Sequence, residues 1–480
     1  MKTKIFLFAT LAIMLAAGAL LLSGQDIIGI VSGRPGQKLR LAVPDFRGAG
    51  AAQPLMNTFN TTLWDELDAS GVLTLVAKSV YPLNVPQRPE DFVPPSGRGP
   101  SNGMWLTDWS GPPVSANNLA FGYTAEQDGK LLLIGNLYNL SQPTPATASL
   151  LAKRYIGSLD QNGAKDIARQ FAADILALFG GKTLSGTKIY FVSDRTGPLV
   201  APDGKKVPIK EIWAMDYDGS NQRQVTFYKG DSMDPTVSPD GKILAFASIP
   251  QGIRDGHIYD GTPIINLQSL ETGKKLTFYN PVSSIVATPE FTPDGKHLLF
   301  GTKIGADKDE NIYMSNLQGG ELTRVSRVSA IDEEPRVNPK TGADMVFISG
   351  RTGHPQLWKM NVDGGGAEML TSGEGDVANP SWRPDGQWVA FTWTRGYEYG
   401  QFNIFIMDVV SHQIIQLTHD TGDNENPSWA PDGLHIVYSS KRGRSTQIFT
   451  MLADGTHVRQ LTTQGTQGNN GQPMWTKGIN

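Results

Sequence analysis

Cysteine does not occur in this 480-residue chain, which excludes disulfides, thiolate metal sites and thiol nucleophiles. An excess of one charge is missing too. Basic residues number 42 and acidic ones 46, for a net charge of -4, whereas binding to a phosphate backbone draws its strength from many clustered Lys and Arg. Nucleic acid is therefore not expected as a partner. Histidine is scarce, with seven in all, and no His-Glu-x-x-His pair occurs. The two closest in sequence, His412 and His419, flank a strand and a turn without matched carboxylates nearby, so no metal centre is expected on them. Long apolar runs are absent after the first residues. There, Lys2 and Lys4 precede an almost unbroken apolar stretch from Ile5 to Leu22, with Ala17, Gly18 and Ala19 inside it. Residues 1–24 read as a secretory signal; an uncleaved membrane anchor is the alternative, because the run is near the lower limit for spanning a bilayer. On either reading the rest of the chain is expected outside the cytoplasm, soluble once mature, and without a lipid-bearing cysteine.

What the chain does have is 53 Gly and 31 Pro, a profile suited to many short strands joined by turns. Those residues repeat. A proline followed two residues later by an apolar residue recurs at Pro235/Val237, Pro289/Phe291, Pro335/Val337, Pro380/Trp382, Pro427/Trp429 and Pro473/Trp475, spaced 45 to 54 residues apart. Turns follow as Pro239-Asp240-Gly241, Pro293-Asp294-Gly295, Pro384-Asp385-Gly386 and Pro431-Asp432-Gly433, lengthened at Pro339-Lys340-Thr341-Gly342, with Pro presetting the first turn position. Apolar strands come next, such as Ile243 to Ser248 and Ile436 to Ser440, with Lys188 to Ser193 as a copy ahead of the first turn. A third strand type includes Ile212 to Asp216, and a fourth ends near Thr226, Thr277, Thr323, Thr371, Thr418 and Thr462. Four antiparallel strands per repeat and six repeats predict an all-β six-bladed β-propeller over residues 187–480. The C-terminal Pro-x-Trp strand should complete the blade begun at Lys188, closing the ring and removing a free sheet edge. The apolar residue two after each proline is expected to pack between blades.

Residues 37–182 lack the repeat and read as a separate α/β domain. Leu39 to Phe46 and Val72 to Ala77 read as strands. A stripe of Leu55, Phe59, Leu63 and Leu67 marks a helix ending at Gly71, Phe121 to Leu140 a hairpin turning at Asp128-Gly129, and Ile167, Phe171, Ile175 and Phe179 a second helix. Pro82 to Pro113, dense in Pro, Gly and Ser, reads as a long loop. Gly180-Gly181-Lys182-Thr183 resembles the end of a phosphate loop, but Leu176 stands where the earlier glycine belongs and the cluster ends a helix, so it reads as a helix stop and linker.

Hydrolase propellers of the prolyl oligopeptidase kind carry their nucleophile in a Gly-x-Ser-x-Gly elbow between a strand and a helix. No such elbow stands between a predicted strand and helix here, and the repeats run to within a few residues of Asn480; catalysis is not expected. Carboxylate pairs such as Glu333-Glu334 and Asp216/Asp218 fall in predicted loops or turns. The loops before the inner strands should open together around the central channel. They bring Asp231 and Asp234, Thr288, Asp332 and Glu334, Asp376 and Asn379, Asp423, Glu425 and Asn426, then Asn469, Asn470 and Gln472. One reading is turn-forming loop chemistry, since Asp or Asn before Pro begins a turn. The other is an acidic docking mouth that steers a basic partner, or holds calcium.

Taken together, these features resemble the TolB family. A signal, a short arm, an α/β domain and six Pro-x-Trp-Ser-Pro-Asp-Gly-type repeats follow in that family's order, with Leu41-Ala42-Val43-Pro44-Asp45-Phe46, Ser70-Gly71 and Lys188-Ile189-Tyr190-Phe191-Val192-Ser193 at its characteristic places. The resemblance implies a monomeric, non-enzymatic periplasmic adaptor without a resident cofactor, linking a Pal-like peptidoglycan-associated lipoprotein to a TolA-like inner-membrane protein. It would touch membranes only through partners, serving envelope integrity and outer-membrane constriction in division. A hydrolase or carbohydrate-binding propeller of the periplasm is the alternative. By position, the resemblance points to Asp234, Glu334, Asn379 and Asn426, with Asp231 and Asp423, on the mouth. It also points to Asp26, Ser32 and Arg34 in an arm over residues 25–36, where Ser32-Gly33-Arg34-Pro35 fits. The Pro-rich insertion before Trp105 and Trp109 and a second repeat stretched by His257 to Pro263 depart from the family pattern.

Overall fold

The computed structural model describes residues 38–92, 104–254, 257–396, 400–462 and 468–478. The signal and the arm, with Asp26, Ser32 and Arg34, lie outside the described residues.

The first domain is built on strands β1 (Leu39–Ala42), β2 (Arg47–Gly48), β3 (Leu73–Leu75), β4 (Asn118–Gln127), β5 (Lys130–Asn139) and β6 (Ser149–Ser158), with helices α1 (Met56–Asp68) and α2 (Gln161–Leu178). The sheet runs β3-β1-β4-β5-β6. Strand β1 lies parallel to β3 and β4, and β4 pairs antiparallel with β5 across Asp128-Gly129. Both turn residues have positive φ, the geometry that matches a hairpin's twist. Phe59, Leu63 and Leu67 of α1 meet Ile167, Phe171 and Ile175 of α2 in one core on one face of the sheet. Alternation along β4 then sends Leu119 and Phe121 to the other face, as a strand's two-residue period requires.

That other face is covered by the described parts of the Pro-rich stretch, which are more than the long loop its composition predicts. Leu106–Ser110 is a helical turn, and Trp109 is 0% exposed, packed in a cluster with Phe92, Val114, Phe121 and Tyr138. Helix α2 stops where Gly181 N donates to the Leu176 carbonyl at 2.8 Å and Gly180, at φ 69°, takes the left-handed position, a glycine-dependent helix end.

Six four-stranded antiparallel sheets follow. Blade 1 joins Asn470–Thr476 to Lys188–Ser193, Glu211–Asp216 and Arg223–Gln224, so the C-terminal strand closes the ring. The other inner strands are Asp231–Val237, Ser283–Phe291, Asp332–Val337, Val377–Trp382 and Asp423–Trp429, for blades 2 to 6, and neighbouring inner strands touch all the way round. Val237, Phe291, Val337, Trp382, Trp429 and Trp475 are buried, packing blade on blade. Each outer edge is pinned by a side-chain relay. Thr371 Oγ1 accepts from Leu357 N at 2.9 Å and donates to Gln356 Oε1 at 2.9 Å, and Thr226, Thr418 and Thr462 repeat the pattern. In blades 2 and 3 the amide is held by Asn280 and Ser326, so Thr277 and Thr323 mark strand 4 without sharing its bond.

Two small hairpins, Pro198–Val200 with Lys206–Pro208 and Gln251–Arg254 with His257–Asp260, rise between strands 2 and 3 of blades 1 and 2; the second accounts for the stretched repeat. The first domain docks on the face carrying the Pro-Asp-Gly turns. His435, just after the blade 6 turn, donates Nε2–H to the Ala69 carbonyl at 2.5 Å. Glu66 of α1 meets Arg169 of α2 at 3.1 Å and the Tyr217 hydroxyl of blade 1. The mouth lies on the opposite face.

Candidate functional site: the mouth and channel of the propeller

The residue before each repeat proline decides the geometry of the channel. Asp234, Thr288, Glu334, Asn379, Asn426 and Gln472 all have φ between 46 and 53°, a left-handed conformation that costs a non-glycine residue roughly 1–2 kcal/mol. The pairing register of every inner strand shifts at the same place, so each is a β-bulge that re-aims one side chain. The bulges are linked. Asp234 N donates to Gln472 Oε1 at 3.0 Å, Thr288 N to Asp234 Oδ2 at 3.3 Å and Glu334 N to Thr288 Oγ1 at 3.3 Å. Asn379 N then donates to Glu334 Oε2, and Asn426 N to Asn379 Oδ1 at 3.3 Å. Five of the six side chains thus accept from the backbone of the next blade, giving the amide that each bulge frees from its own sheet a partner, while Asn426 Oδ1 accepts from Ser439 Oγ of its own blade at 3.1 Å.

These positions correct the sequence reading of Asp234, Glu334, Asn379 and Asn426 as exposed loop residues. They stand inside bulged strands, half-buried in the channel wall, with the side-chain oxygens of Asp234, Glu334 and Asn379 committed to the ring and that of Asn426 to Ser439. Asp231 and Asp423, at the mouth ends of their strands, are likewise engaged: Asp231 lies 3.7 Å from Lys210 Nζ, and Asp423 Oδ1 accepts from Phe402 N at 3.0 Å. Asp332 is fully buried, clamped by Arg351 at 2.9 and 3.1 Å. One sequence signal for the ring was available. All six residues before the proline (Asp, Thr, Glu, Asn, Asn and Gln) carry a side-chain oxygen able to accept a hydrogen bond.

Below the ring, Thr236, Glu290, Arg336, Ser381, Ser428 and Met474 help line a cavity of about 210 Å³. Burial pushes the Glu290 and Glu334 carboxyls up to about 7, against the opposing pull of the Arg336 guanidinium. Burial also raises Asp234, again opposed by Arg336. Among the described residues, no three His, Asp or Glu side chains are placed to hold a metal ion. With Arg336 beside the channel carboxylates, the residues present do not fit calcium. Around the mouth, loops entering two successive inner strands leave Val282 and Ile331 96 and 50% exposed, while the exposed Phe227 lines an outer groove with Leu270 and Glu271 of blade 2. The sequence reading, intent on acidic residues, passed over the apolar pair at the mouth. It also passed over Gly99-Pro100-Ser101-Asn102-Gly103, a Gly-x-Ser-x-Gly string in the Pro-rich stretch that lies outside the described residues.

Comparison with known proteins adds the family. The description "TolB beta propeller domain" matches residues 180–395 and 368–478. The chain belongs to the TolB beta-propeller family. A "Protein TolB homolog" of Chlorobium luteolum is 29% identical over 253 residues, 52% of this chain and 51% of the relative. A "Tol-Pal system protein TolB" of Geobacter metallireducens is 31% identical over 240 residues, 49% of this chain and 48% of the relative. The chain spans about half the length of the curated relatives it matches. The crystal structure of TolB from Acinetobacter baumannii superposes with a TM-score of 0.68 at 21% identity, covering 92% of this chain and 97% of that one. The TolB fold therefore extends over both domains. Among the described residues, no helix is long and apolar enough to cross a membrane.

Proposed function

We propose that this chain is a non-enzymatic adaptor of the periplasm in a Tol-Pal-type system, docking a Pal-like peptidoglycan-associated lipoprotein on the propeller mouth. The arm over residues 25–36, with Asp26, Ser32 and Arg34, would engage a TolA-like inner-membrane protein, so that the pair of contacts couples the two membranes and supports envelope integrity and constriction in division. Family membership and a relative named as a Tol-Pal system protein support this reading. The observation that carries it is the free face. The first domain occupies the turn face through Glu66, Ala69 and Arg169, and among the described residues the mouth keeps Val282 and Ile331 exposed beside an acidic channel. Exposed apolar groups rimmed by polar ones mark protein docking sites.

Because Asp234 and Glu334 hold the ring together, Asp234→Lys with Glu334→Lys would damage the scaffold and cannot isolate binding. Val282→Asp with Ile331→Asp changes only exposed side chains, where substitutions usually leave stability within about 0.5 kcal/mol. The chain from Gln25 onward, immobilised and washed with envelope extract, should retain a Pal-like lipoprotein identified by mass spectrometry and lose it in the double aspartate variant. Equal retention by both proteins would remove the mouth from the proposal.

A further inference from the structure

Glu310 precedes the third strand of blade 3 (Asn311–Asn316) at its mouth end, and Glu333 stands in the inner strand of blade 4 beside the ring residue Glu334. Glu310 is only 9% exposed, yet its Oε1 has no hydrogen-bond partner. Buried carboxylate oxygens are nearly always paired, so an orphan at a rim calls for a missing donor.

The hollow that holds it is specific to this blade. At the fifth position of strand 2 the other blades carry Val192, Ala247, Ile348, Thr392 and Ser439, whereas blade 3 carries Gly301. A Cβ on Gly301 would stand 2.8 Å from Glu310 Oε1 and 3.7 Å from Glu333 Cβ. Gly301 is not among the residues with positive φ, so its backbone does not demand glycine; the absent side chain makes room for the carboxyl. Burial pushes Glu310 up to about 7, and Glu333 is the charge that raises it further. Glu333 is itself raised by burial and by Asp234. Two acids therefore share one pocket, and among the described residues no ion pair is made to either. Ile331, half-exposed two residues before Glu333, offers an apolar ledge of the kind along which a Lys or Arg stem lies.

We propose that Glu310 and Glu333 form the receptor for one cationic side chain, Lys or Arg, of the protein that docks on the mouth. This rests on the docking reading above and names its chemistry. Two carboxyls without a third ligand suit an ammonium or guanidinium, which supplies its own hydrogen-bond donors, better than a divalent metal, which takes six or more oxygens as calcium.

Calorimetric titration of the full chain with tetralysine, and with the same peptide acetylated on its side chains, tests the receptor directly. Tetralysine should bind and the acetylated peptide should not, and Glu310→Gln with Glu333→Gln should weaken binding about tenfold or more. Gly301→Ala keeps both charges but fills the hollow, displacing only the flexible end of Glu310, and should weaken binding as well. Equal affinity for wild type and both variants, or for the acetylated peptide, overturns the inference. A lipoprotein that is retained at full affinity by the Glu310→Gln, Glu333→Gln protein also overturns it while leaving docking in place. If wild type retains no lipoprotein, the docking reading fails instead, and the tetralysine result alone decides whether the cation receptor stands.

Discussion

Asp234 and Gln472 are separated by 238 residues and joined by two hydrogen bonds: Asp234 N donates to Gln472 Oε1, and Gln472 Nε2 donates to Asp234 Oδ1, each at 3.0 Å. This is where the C-terminal strand, completing blade 1, meets blade 2. The propeller is thus closed twice, by the sheet pairing of Asn470–Thr476 with Lys188–Ser193 and by a side-chain pair at the channel wall. The amide is suited to its place because Asp234 needs both a donor for its carboxylate and an acceptor for its own N–H, and a single Gln supplies both.

Gln472→Glu should consequently cost about 2–3 kcal/mol, since it removes the donor and sets a second carboxylate against a half-buried one. Exchanging the pair, as Asp234→Asn with Gln472→Glu, moves the amide donor to the blade 2 side, where it and the backbone N–H both meet the carboxylate on the C-terminal strand, and should recover more than half of the loss. Urea unfolding midpoints, with unchanged slopes, measure both. A double variant no more stable than Gln472→Glu alone would show that the pair is not the closure it is taken to be here.

His435 makes the corresponding closure between domains. Its Nδ1 meets Asp432 Oδ2 at 2.6 Å while Nε2 reaches the Ala69 carbonyl, so both ring nitrogens have acceptors and the imidazolium is the form that fits. Burial lowers the His435 pKa, but the Asp432 carboxylate overcomes it and the net direction is up. A raised histidine contributes stability that is complete below its ordinary value of 6.5 and lost as pH rises through the folded value. Amide protection around Ala69, taken relative to the intrinsic base-catalysed rate, should therefore fall at alkaline pH, and His435→Ala should lower it at every pH, with about 3 kcal/mol of destabilisation from the unpaired Asp432. Protection at Ala69 that ignores both changes would refute the latch.

The propeller was legible because its turns and inter-blade packing demand the same residue types at every repeat, as Pro-Asp-Gly and Pro-x-Trp do. The ring was not, because its six members share a function and no identity; a side-chain oxygen before a proline looks like loop chemistry until the bulge is seen. Strand β6 went unread for a different reason. Most of its ten residues are exposed or half-exposed at the sheet edge, which erases the alternation that reveals a strand. Trp109 was hidden by its neighbours, since Pro, Gly and Ser set the texture of a stretch whose buried anchors are few. Of the mouth, the acidic character was readable, while the hollow at Gly301 depends on three segments that meet only in the fold.

Gly71 offers a test of how closely the domains fit. It follows α1 with φ 67°, and a Cβ there would stand 2.6 Å from Leu452 Cδ2 of blade 6. Gly71→Ala meets both a left-handed backbone and a clash, and should cost about 2 kcal/mol or more. Leu452→Ala in the same chain relieves only the clash, so the two changes should be less than additive in thermal unfolding. Strict additivity would place the strain in the helix end alone.

The carboxyls of the channel and rim fix the pH profile of stability. Glu290, Glu310, Glu334 and Glu425 are pushed by burial from 4.5 up to about 7, so the folded chain binds their protons more tightly than the unfolded one. Groups raised in this way contribute stability that is fully present below the ordinary value and lost as pH climbs to the folded value. Asp240, Asp294, Asp408 and Asp432 are shifted the other way, below 3.8, and their contribution disappears only in stronger acid. Between these limits the raised glutamates govern. The melting temperature should rise by a few degrees when pH is lowered from about 8 to about 5.5, and Glu290→Gln with Glu310→Gln should flatten that rise by removing two of the titrating groups. A melting temperature that falls over the same interval would mean that the channel carboxylates are already charged and paired in the native state, with Arg336 winning over burial.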